Sequence, residues 1–273
     1  MSDSLTQKEH QLATLIRGYG SLAIAYSGGV DSSYLAAVAS EVLGERCQLI
    51  LADSPSIPRS ELRAAVELAR QQNWQLTVIS TFEHQDQRYL ANTDKRCYFC
   101  KSELFQQMRS YAADQHIQQL AYGAIMDDLG DHRPGAQAAI EYKILAPLQE
   151  ARLSKKEIRE LSERRLLPTA SKASFACLAS RLPTGEAVTV KKLTQIEKAE
   201  EILKALGLYQ YRARHHGDLC RIEVDAQSFA IVAQHRTALV SQLKALGYRY
   251  VTLDLCSYKT GSTSPASQTI LSV

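Results

Sequence analysis

The sequence predicts an α/β protein in which a parallel β-sheet, covered by helices on both faces, precedes a smaller α+β domain. Strand and helix patterns alternate along the first half of the chain, and a glycine turn directly follows the first strand. From Pro168 to Gly185 the pattern loses its period, and a second set of helices and strands follows. Such alternation is typical of parallel sheets, and the break indicates a division of the chain.

The elements of the first half follow from the spacing of apolar residues. Short apolar runs predict buried strands, and apolar residues three and four positions apart predict helices. We expect strands at 22–26, 48–52, 76–79 and 119–123, and helices at 5–19, 32–43, 60–72 and 98–115. Ligands of parallel sheets bind outside the carboxyl ends of the strands, which is where the glycine turn lies.

The second half has its own pattern, with helices expected at 191–206 and 226–246 and strands at 211–213, 219–224 and 250–255. The chain is therefore expected to form a first domain over 1–167, a linker over 168–190 that bears Cys177, and a C-terminal α+β domain over 191–273.

Composition narrows the classes of protein. Lys and Arg number 32 against 29 Asp and Glu, and so small an excess of positive charge does not indicate a nucleic-acid partner. No apolar run is long enough to cross a bilayer, and the polar start from Met1 to His10 has no secretory segment, so we expect a cytoplasmic protein without a membrane partner. The six cysteines do not suggest a disulfide scaffold.

The turn after the first strand reads Ser-Gly-Gly-Val-Asp-Ser from Ser27 to Ser32. Glycines let the backbone turn tightly, and the N–H groups of the turn and of the following helix then face an anion. Asp31 would repel a phosphate unless it held Mg²⁺ or another divalent ion, or oriented the loop. No Lys follows the glycines, so this is not the nucleotide loop that ends in Gly-Lys-Ser/Thr.

Polar segments follow two other strands. Asp53 comes after the second strand and could either cap a helix or face a ligand at the end of the sheet. The segment 123–135 follows the fourth strand, and its charged side chains are Asp127, Asp128, Asp131 and Arg133. Its place at a sheet end favours a cluster that faces a bound nucleotide over a solvated surface loop.

The glycine loop resembles that of the PP-loop ATP pyrophosphatases, which cleave ATP between the α and β phosphates. The resemblance implies a Rossmann-like domain and adenylation chemistry. The residues that it implies for ATP binding are Ser27, Gly28, Gly29, Asp31, Ser32, Asp53, Gly123, Asp128 and Arg133.

A thiol in the linker adds a second chemical group. Cys177 precedes Ser180 by three residues and Arg181 by four, and nearby positive charge favours the reactive thiolate. Taken alone, a Cys between Ala and Leu is more often an inert, buried small hydrophobic residue.

Together with the phosphate loop, this stretch resembles the LarE family of ATP-dependent sacrificial sulfur transferases. The stretches that carry the resemblance are SGGVDS from Ser27, RCYFCK from Arg96, DDLGDHRPGAQAA from Asp127, ACLASR from Ala176 and RARHHGDLCRIEV from Arg212. They span nearly the whole chain and are more specific together than the phosphate loop alone.

The resemblance implies a small-molecule nucleotide substrate, pyridinium-3,5-biscarboxylic acid mononucleotide, and a product that feeds a nickel-pincer nucleotide cofactor. ATP would adenylate a substrate carboxylate, and the Cys177 thiolate would displace AMP to give a thioester. A base would then remove the α-proton of Cys177, so that sulfur leaves with the substrate and dehydroalanine remains. Lys101 and Asp31 are equal candidates for that base.

The resemblance also implies a substrate phosphate site made of Ser180, Arg181, Arg212 and Arg214. Arg212 and Arg214 alternate on a predicted strand and therefore point to one face, although a pair of exposed strand arginines would show the same spacing. Glu200 and Glu223 are candidates for metal contact, as is Asp31, or for positioning other groups. Ordinary surface charges on a helix and a strand are the competing explanation.

Two expectations follow from the family as a whole. Some relatives hold an iron–sulfur cluster on extra cysteines, but 171–185 contains no cysteine besides Cys177, so we expect single-turnover chemistry without such a cluster. We also expect a homo-oligomer. Cys97 and Cys100 could line the active site or serve packing.

Other functions compete with this interpretation. A PP-loop enzyme of tRNA thiolation would need an RNA-binding appendage and a pair of catalytic cysteines. An amidase-type ligase similar to NAD or GMP synthetase would not need Cys177. A nucleotide-sensing or scaffold protein would keep the loop without the chemistry.

Overall fold

The computed structural model describes residues 2–129, 134–173 and 175–258, which divide into two compact units. The first unit comprises the chain up to Asp86 and Lys95–Phe175, and the second comprises Gln87–Asp94 and the chain from Ala176 onward. The segment 168–190, expected to be a linker, is thus divided between the units after Phe175. The short segment Gln87–Asp94 joins the second unit, which no sequence pattern indicated.

The sheet of the first unit is parallel throughout, as predicted. Its strands are β1 (Leu22–Ala25), β2 (Cys47–Asp53), β3 (Leu76–Ser80) and β4 (Gln119–Tyr122), in the order β3-β2-β1-β4. The central strand β1 pairs with β2 on one side and β4 on the other, and its residues Leu22, Ala23 and Ile24 are fully buried. An apolar strand of this kind requires cover on both faces of the sheet.

Helices provide that cover. In chain order they are α1 (Ser2–Gly18), α2 (Val30–Leu43), α3 (Arg59–Gln71), α4 (Gln87–Leu90), α5 (Arg96–Asp114), α6 (Pro134–Glu141), α7 (Pro147–Glu150) and α8 (Lys155–Arg164), of which α4 belongs to the second unit. One core contains Leu12, Leu35 and Ile158 with Leu49 of β2. Another contains Phe105 and Met108 with Ile50 of the same strand, so β2 is covered on both faces.

The second unit has a mixed sheet in the order β5-β6-β7. Its elements are α9 (Val190–Ala205), β5 (Tyr211–His216), β6 (Leu219–Val224), α10 (Phe229–Gln234), α11 (Arg236–Ala245) and β7 (Tyr250–Leu253). Strand β5 is antiparallel to β6, and β6 is parallel to β7. This unit and the parallel sheet together confirm the predicted α/β class with a smaller α+β part.

The single helix expected at 226–246 is wrong, because α10 and α11 are separate and meet at His235. The buried residues are Val232 in α10 and Leu239 and Leu243 in α11. Their spacing also fits one continuous helix, so periodicity alone could not reveal the break.

The segment 87–94 is held in the second unit by backbone and side-chain hydrogen bonds. The buried amide of Asn92 donates to the carbonyl oxygens of Pro183 at 2.8 Å and Glu186 at 2.9 Å. The N–H groups of Gly185 and Val188 donate in turn to the carbonyl oxygens of Asn92 and Leu90. Of the helices within the described ranges, none combines the length and apolarity that a bilayer crossing requires.

Candidate functional site

The glycine loop connects the end of β1 to the start of α2, and its shape depends on Gly28. Gly28 has φ +67°, and a Cβ added there would lie 2.7 Å from the Cβ of Ala65 in α3. The hydroxyl of Tyr26 also donates to the carbonyl oxygen of Ala65 at 3.3 Å. The loop therefore rests directly on α3, and only glycine fits at position 28.

Serine hydroxyls close the loop from within. The Oγ atoms of Ser27 and Ser32 are 3.0 Å apart, and Ser32 Oγ also donates to the carbonyl oxygen of Gly29 at 3.2 Å. Gly29 is the N-cap of α2 and supplies no side-chain cap. The positive end of α2 thus opens onto the loop, which is suited to an anion.

Strand β4 reaches the loop from the other side. A Cβ on Gly123 would lie 3.1 Å from the backbone nitrogen of Ser32. The close approach explains why a glycine stands at the end of β4 and places 123–129 beside the loop. Asp128 uses Oδ2 to accept a hydrogen bond from the backbone of Ile125 at 3.0 Å, which shapes that turn.

Asp31, in the first turn of α2, pairs with Lys155 at the start of α8. Lys155 Nζ lies 2.8 and 2.6 Å from the two carboxylate oxygens of Asp31. The backbone N–H of Lys155 donates to Asp127 at 2.8 Å, so the 123–129 segment also holds this lysine. Burial raises the pKa of Asp31 above its ordinary value, while Lys155 opposes the rise.

A second lysine lies against the loop backbone. Lys172 Nζ donates to the carbonyl oxygen of Gly28 at 3.0 Å and pairs with Glu61 of α3 at 2.7 Å. No sequence pattern indicates either lysine, because their partners are far away in the chain. A signal for α8 was present, however, since Ser154 and Glu157 form a capping box that marks the helix carrying Lys155.

Asp53, the last residue of β2, forms an ion pair with Arg59. Helix α3 begins at Arg59 after the N-cap Pro58, so Asp53 does not cap it. Beside it, the hydroxyls of Ser54 and Ser56 both bond to the buried carboxylate of Glu83. The predicted nucleotide residue Arg133, and Asp131 with it, lie outside the described residues.

In the second unit, the backbone around Cys177 is held by its neighbours. The carbonyl oxygen of Cys177 accepts hydrogen bonds from Ser180 Oγ at 2.8 Å and from Arg181 Nη1 at 3.0 Å. The guanidinium of Arg181 is fully buried and forms a bidentate pair with Glu200, at 2.8 and 3.0 Å. Cys177 itself is partly exposed.

The arginines expected to bind a phosphate converge in this unit. Arg214 pairs with Glu223 at 2.8 Å and donates to the carbonyl oxygen of Ser180 at 2.9 Å. Arg212 lies over the ring of Tyr258 with its guanidinium carbon 4.9 Å from the ring centre. Burial, together with the positive charge of Arg181, lowers the pKa of Arg212. Arg212 and Arg214 are both buried, so they are not the pair of exposed strand arginines that the spacing also allowed.

The carboxylates proposed for metal binding each contact a basic side chain. Glu200 binds Arg181, Glu223 binds Arg214, and Asp31 binds Lys155. Among the residues whose placement is described, no group of three or more His, Cys, Asp or Glu side chains could hold a metal ion. A Mg²⁺ ion that is shared with phosphates needs only one or two protein carboxylates, and Asp31 fits that requirement.

Cys97 and Cys100 lie in the first turns of α5 in the first unit, with Cys97 exposed. Lys101, a candidate base, lies over the ring of Tyr122 at 4.5 Å from its centre. The ammonium group of Lys101 in α5 thus lies beside Tyr122, the last residue of β4, whereas Cys177 belongs to the second unit.

The parallel sheet and the glycine loop at a strand end define the first unit as a Rossmann-like α/β fold. No family model matches the sequence. The chain is 40% identical over 258 residues to an uncharacterized protein of Synechocystis, covering 93% of this chain and 96% of that protein. It is 27% identical over 237 residues to an uncharacterized protein of Methanocaldococcus jannaschii, with coverage of 87% and 90%.

A third relative has a named activity. It is the pyridinium-3,5-bisthiocarboxylic acid mononucleotide synthase of Lactiplantibacillus plantarum, 30% identical over 261 residues that cover 94% of each chain. At this identity and coverage the chain belongs to the LarE family of sulfur-transferring enzymes, as the sequence motifs predicted.

Proposed function

We propose that this enzyme transfers sulfur from Cys177 to an ATP-activated carboxylate of pyridinium-3,5-biscarboxylic acid mononucleotide. The observation that carries the proposal is the near-full-length similarity to the mononucleotide synthase, combined with the glycine loop between β1 and α2. Ser27–Ser32 would hold the phosphates of ATP at the N-terminus of α2. Asp31 would hold Mg²⁺, which neutralises phosphate charge when bound.

The first half of the reaction is adenylation. A substrate carboxylate oxygen attacks the α-phosphorus of ATP, and pyrophosphate leaves. The carboxylate becomes a mixed anhydride, whose leaving group is AMP rather than oxide. Lys155 and Lys172 support this step, because both lie at the loop and can meet the charge of the departing pyrophosphate.

The second half moves the sulfur. The Cys177 thiolate attacks the activated carbonyl carbon and displaces AMP, which gives a thioester. Removal of the Cys177 α-proton places an electron pair between Cα and Cβ as the Cβ–S bond breaks. The thiocarboxylate leaves with the sulfur, and position 177 becomes dehydroalanine. No external oxidant or reductant enters this balance.

The buried arginines of the second unit support recognition of the substrate phosphate. Arg212 and Arg214 are residues of β5 and are buried. A guanidinium interacts strongly with a bound anion where little solvent is present. The pair with Glu223 orients Arg214, and Arg181 orients the backbone of Cys177. We further propose a homo-oligomer, which light scattering would test.

Intact-protein mass spectrometry tests the sulfur transfer. After incubation with ATP, Mg²⁺ and the biscarboxylate mononucleotide, we expect loss of one H₂S equivalent per chain, located at Cys177 by peptide mapping. A Cys177→Ser variant should release pyrophosphate but form no thiocarboxylate. The control Cys256→Ser changes another accessible thiol and should behave like the wild type. Product accumulation with sulfur retained at Cys177 would refute the proposal.

A further inference from the structure

Lys172, which lies five residues before Cys177, contacts the phosphate loop. The ammonium group of Lys172 donates to the carbonyl oxygen of Gly28 and pairs with Glu61, at 3.0 and 2.7 Å. Its side chain keeps 25% of its surface exposed, and that of Glu61 keeps 23%. Lys172 and Gly28 are 144 positions apart in the chain, so this hydrogen bond is a tertiary contact.

Helix α8 holds the backbone of this segment at two carbonyl groups. Arg159 Nη1 donates to the carbonyl oxygen of Ala170, and Arg159 Nη2 donates to that of Lys172 at 2.9 Å. The same helix presents Lys155 to Asp31 in the phosphate loop. Helix α8, the segment 170–172 and the loop therefore each contact the other two through ion pairs or hydrogen bonds of charged side chains.

Each of the two lysines is paired with a carboxylate in the absence of a nucleotide. Glu61 neutralises Lys172, and Asp31 neutralises Lys155. A bound polyphosphate carries more negative charge than either carboxylate and competes for both ammonium groups. Lysine has a flexible stem and a compact charge, so it can change partners with a small movement. Any such movement of Lys172 acts on a backbone that lies five residues before Cys177.

We propose that Lys172 is a positioning residue that couples occupancy of the phosphate loop by a pyrophosphate-bearing nucleotide to the conformation of the segment that carries Cys177. The inference rests on the proposed use of ATP and adds a role for a residue outside the glycine loop. In the resting enzyme Glu61 and the Gly28 carbonyl hold Lys172. When phosphates fill the loop, Lys172 turns to them and the backbone at 170–172 changes position.

Hydrogen–deuterium exchange of the full-length enzyme tests the coupling. In the wild type, ATP with Mg²⁺ should change the exchange of peptides that cover 168–177, whereas AMP should not. Lys172→Gln should lose this response. The matched control Lys156→Gln alters an exposed lysine of α8 and should keep it. Glu61→Gln frees Lys172 from its resting partner and should change exchange of the segment before any nucleotide is added.

A kinetic ratio separates this proposal from the proposed function. Pyrophosphate release reports adenylation, and sulfur loss at Cys177 reports transfer. For Lys172→Gln we expect the sulfur transferred per pyrophosphate released to fall about tenfold or more, since misplacement of a reacting group is costly. An unchanged ratio together with a wild-type exchange response would overturn the coupling. Absence of pyrophosphate release in the wild type would instead overturn the proposed function, and the exchange response to ATP would still decide the role of Lys172.

Discussion

At the scale of single residues, Gly28 determines whether the glycine loop can form. Gly28→Ala would drive a methyl group into Ala65 and place a side chain at φ +67°. We expect loss of ATP binding with the helix content retained, measured by calorimetry and circular dichroism. Gly44→Ala is the control, because Gly44 also has positive φ, +56°, but a Cβ there meets nothing within 4 Å. The control should cost about 1–3 kcal/mol of stability and keep ATP binding.

The cysteines are predicted to differ sharply in reactivity. Burial raises the pKa of Cys47 to about 11 and that of Cys220 to about 12, so their thiols stay protonated near neutral pH. Cys97 and Cys256 are exposed. A maleimide followed by peptide mapping should label the exposed pair in the native protein and the buried pair only after denaturation. Native labelling of Cys220 as fast as that of Cys256 would contradict the buried placement.

The same pKa shifts give a pH dependence of stability. In the unfolded chain these thiols ionise around 9.0, whereas in the folded protein they ionise near 11 and 12. Above pH 9.0 the unfolded state therefore holds fewer protons, and the free energy of unfolding falls as pH rises. Their contribution is fully present below that pH and is lost across the window up to the folded-state pKa values. Cys220→Ala should flatten this decline in a series of denaturant titrations.

At the scale of elements, helix α8 supports the loop from outside it. Ser154 accepts a hydrogen bond from the backbone of Glu157, and the Glu157 carboxylate accepts from the backbone of Ser154. Ser154→Ala should destabilise the protein by about 1 kcal/mol. It should also weaken ATP binding, because Lys155 and Arg159 lie in the first turns of α8.

The control for this prediction lies in the second unit. Thr189 caps α9 by accepting a hydrogen bond from the backbone of Lys192 at 3.2 Å. Thr189→Ala should cost a similar amount of stability in thermal unfolding, yet leave the affinity for ATP unchanged. Equal loss of ATP affinity in both variants would show that the effect of Ser154 is only a general loss of stability.

At the scale of the whole molecule, the chain leaves the first unit at Asp86 and returns to it at Lys95. The buried amide of Asn92 fixes this excursion to the carbonyl oxygens of Pro183 and Glu186. Asn92→Ala leaves both acceptors without this donor, and we expect a loss of about 2–4 kcal/mol in the free energy of unfolding. Denaturant titration measures this loss.

Asn73→Ala is the matched control, because Asn73 has φ +54° against +50° for Asn92 but is exposed. The strain of a positive φ should cost it about 1 kcal/mol. If the two variants lose the same stability, the hydrogen bonds of Asn92 contribute nothing and backbone strain explains the whole effect.

The sequence predicted local features well where the signal was local. The four parallel strands, the glycine loop and the two strands β5 and β6 follow from apolar runs and turn residues. The sequence pattern did not predict the break between the helices at His235, because Val232 and Leu239 keep helical spacing across it. The sequence prediction did not include helix α8, although Ser154 and Glu157 form the capping box that marks its start.

The sequence by itself determined the fold class, the glycine loop and the family, because these depend on residue types at short, fixed spacings. The tertiary structure alone decided the partners: Lys155 with Asp31, Lys172 with Glu61 and the Gly28 carbonyl, Arg181 with Glu200, and Arg214 with Glu223. An ion pair depends on distance in space, and a chain pattern carries no information about which distant charge the fold brings within reach.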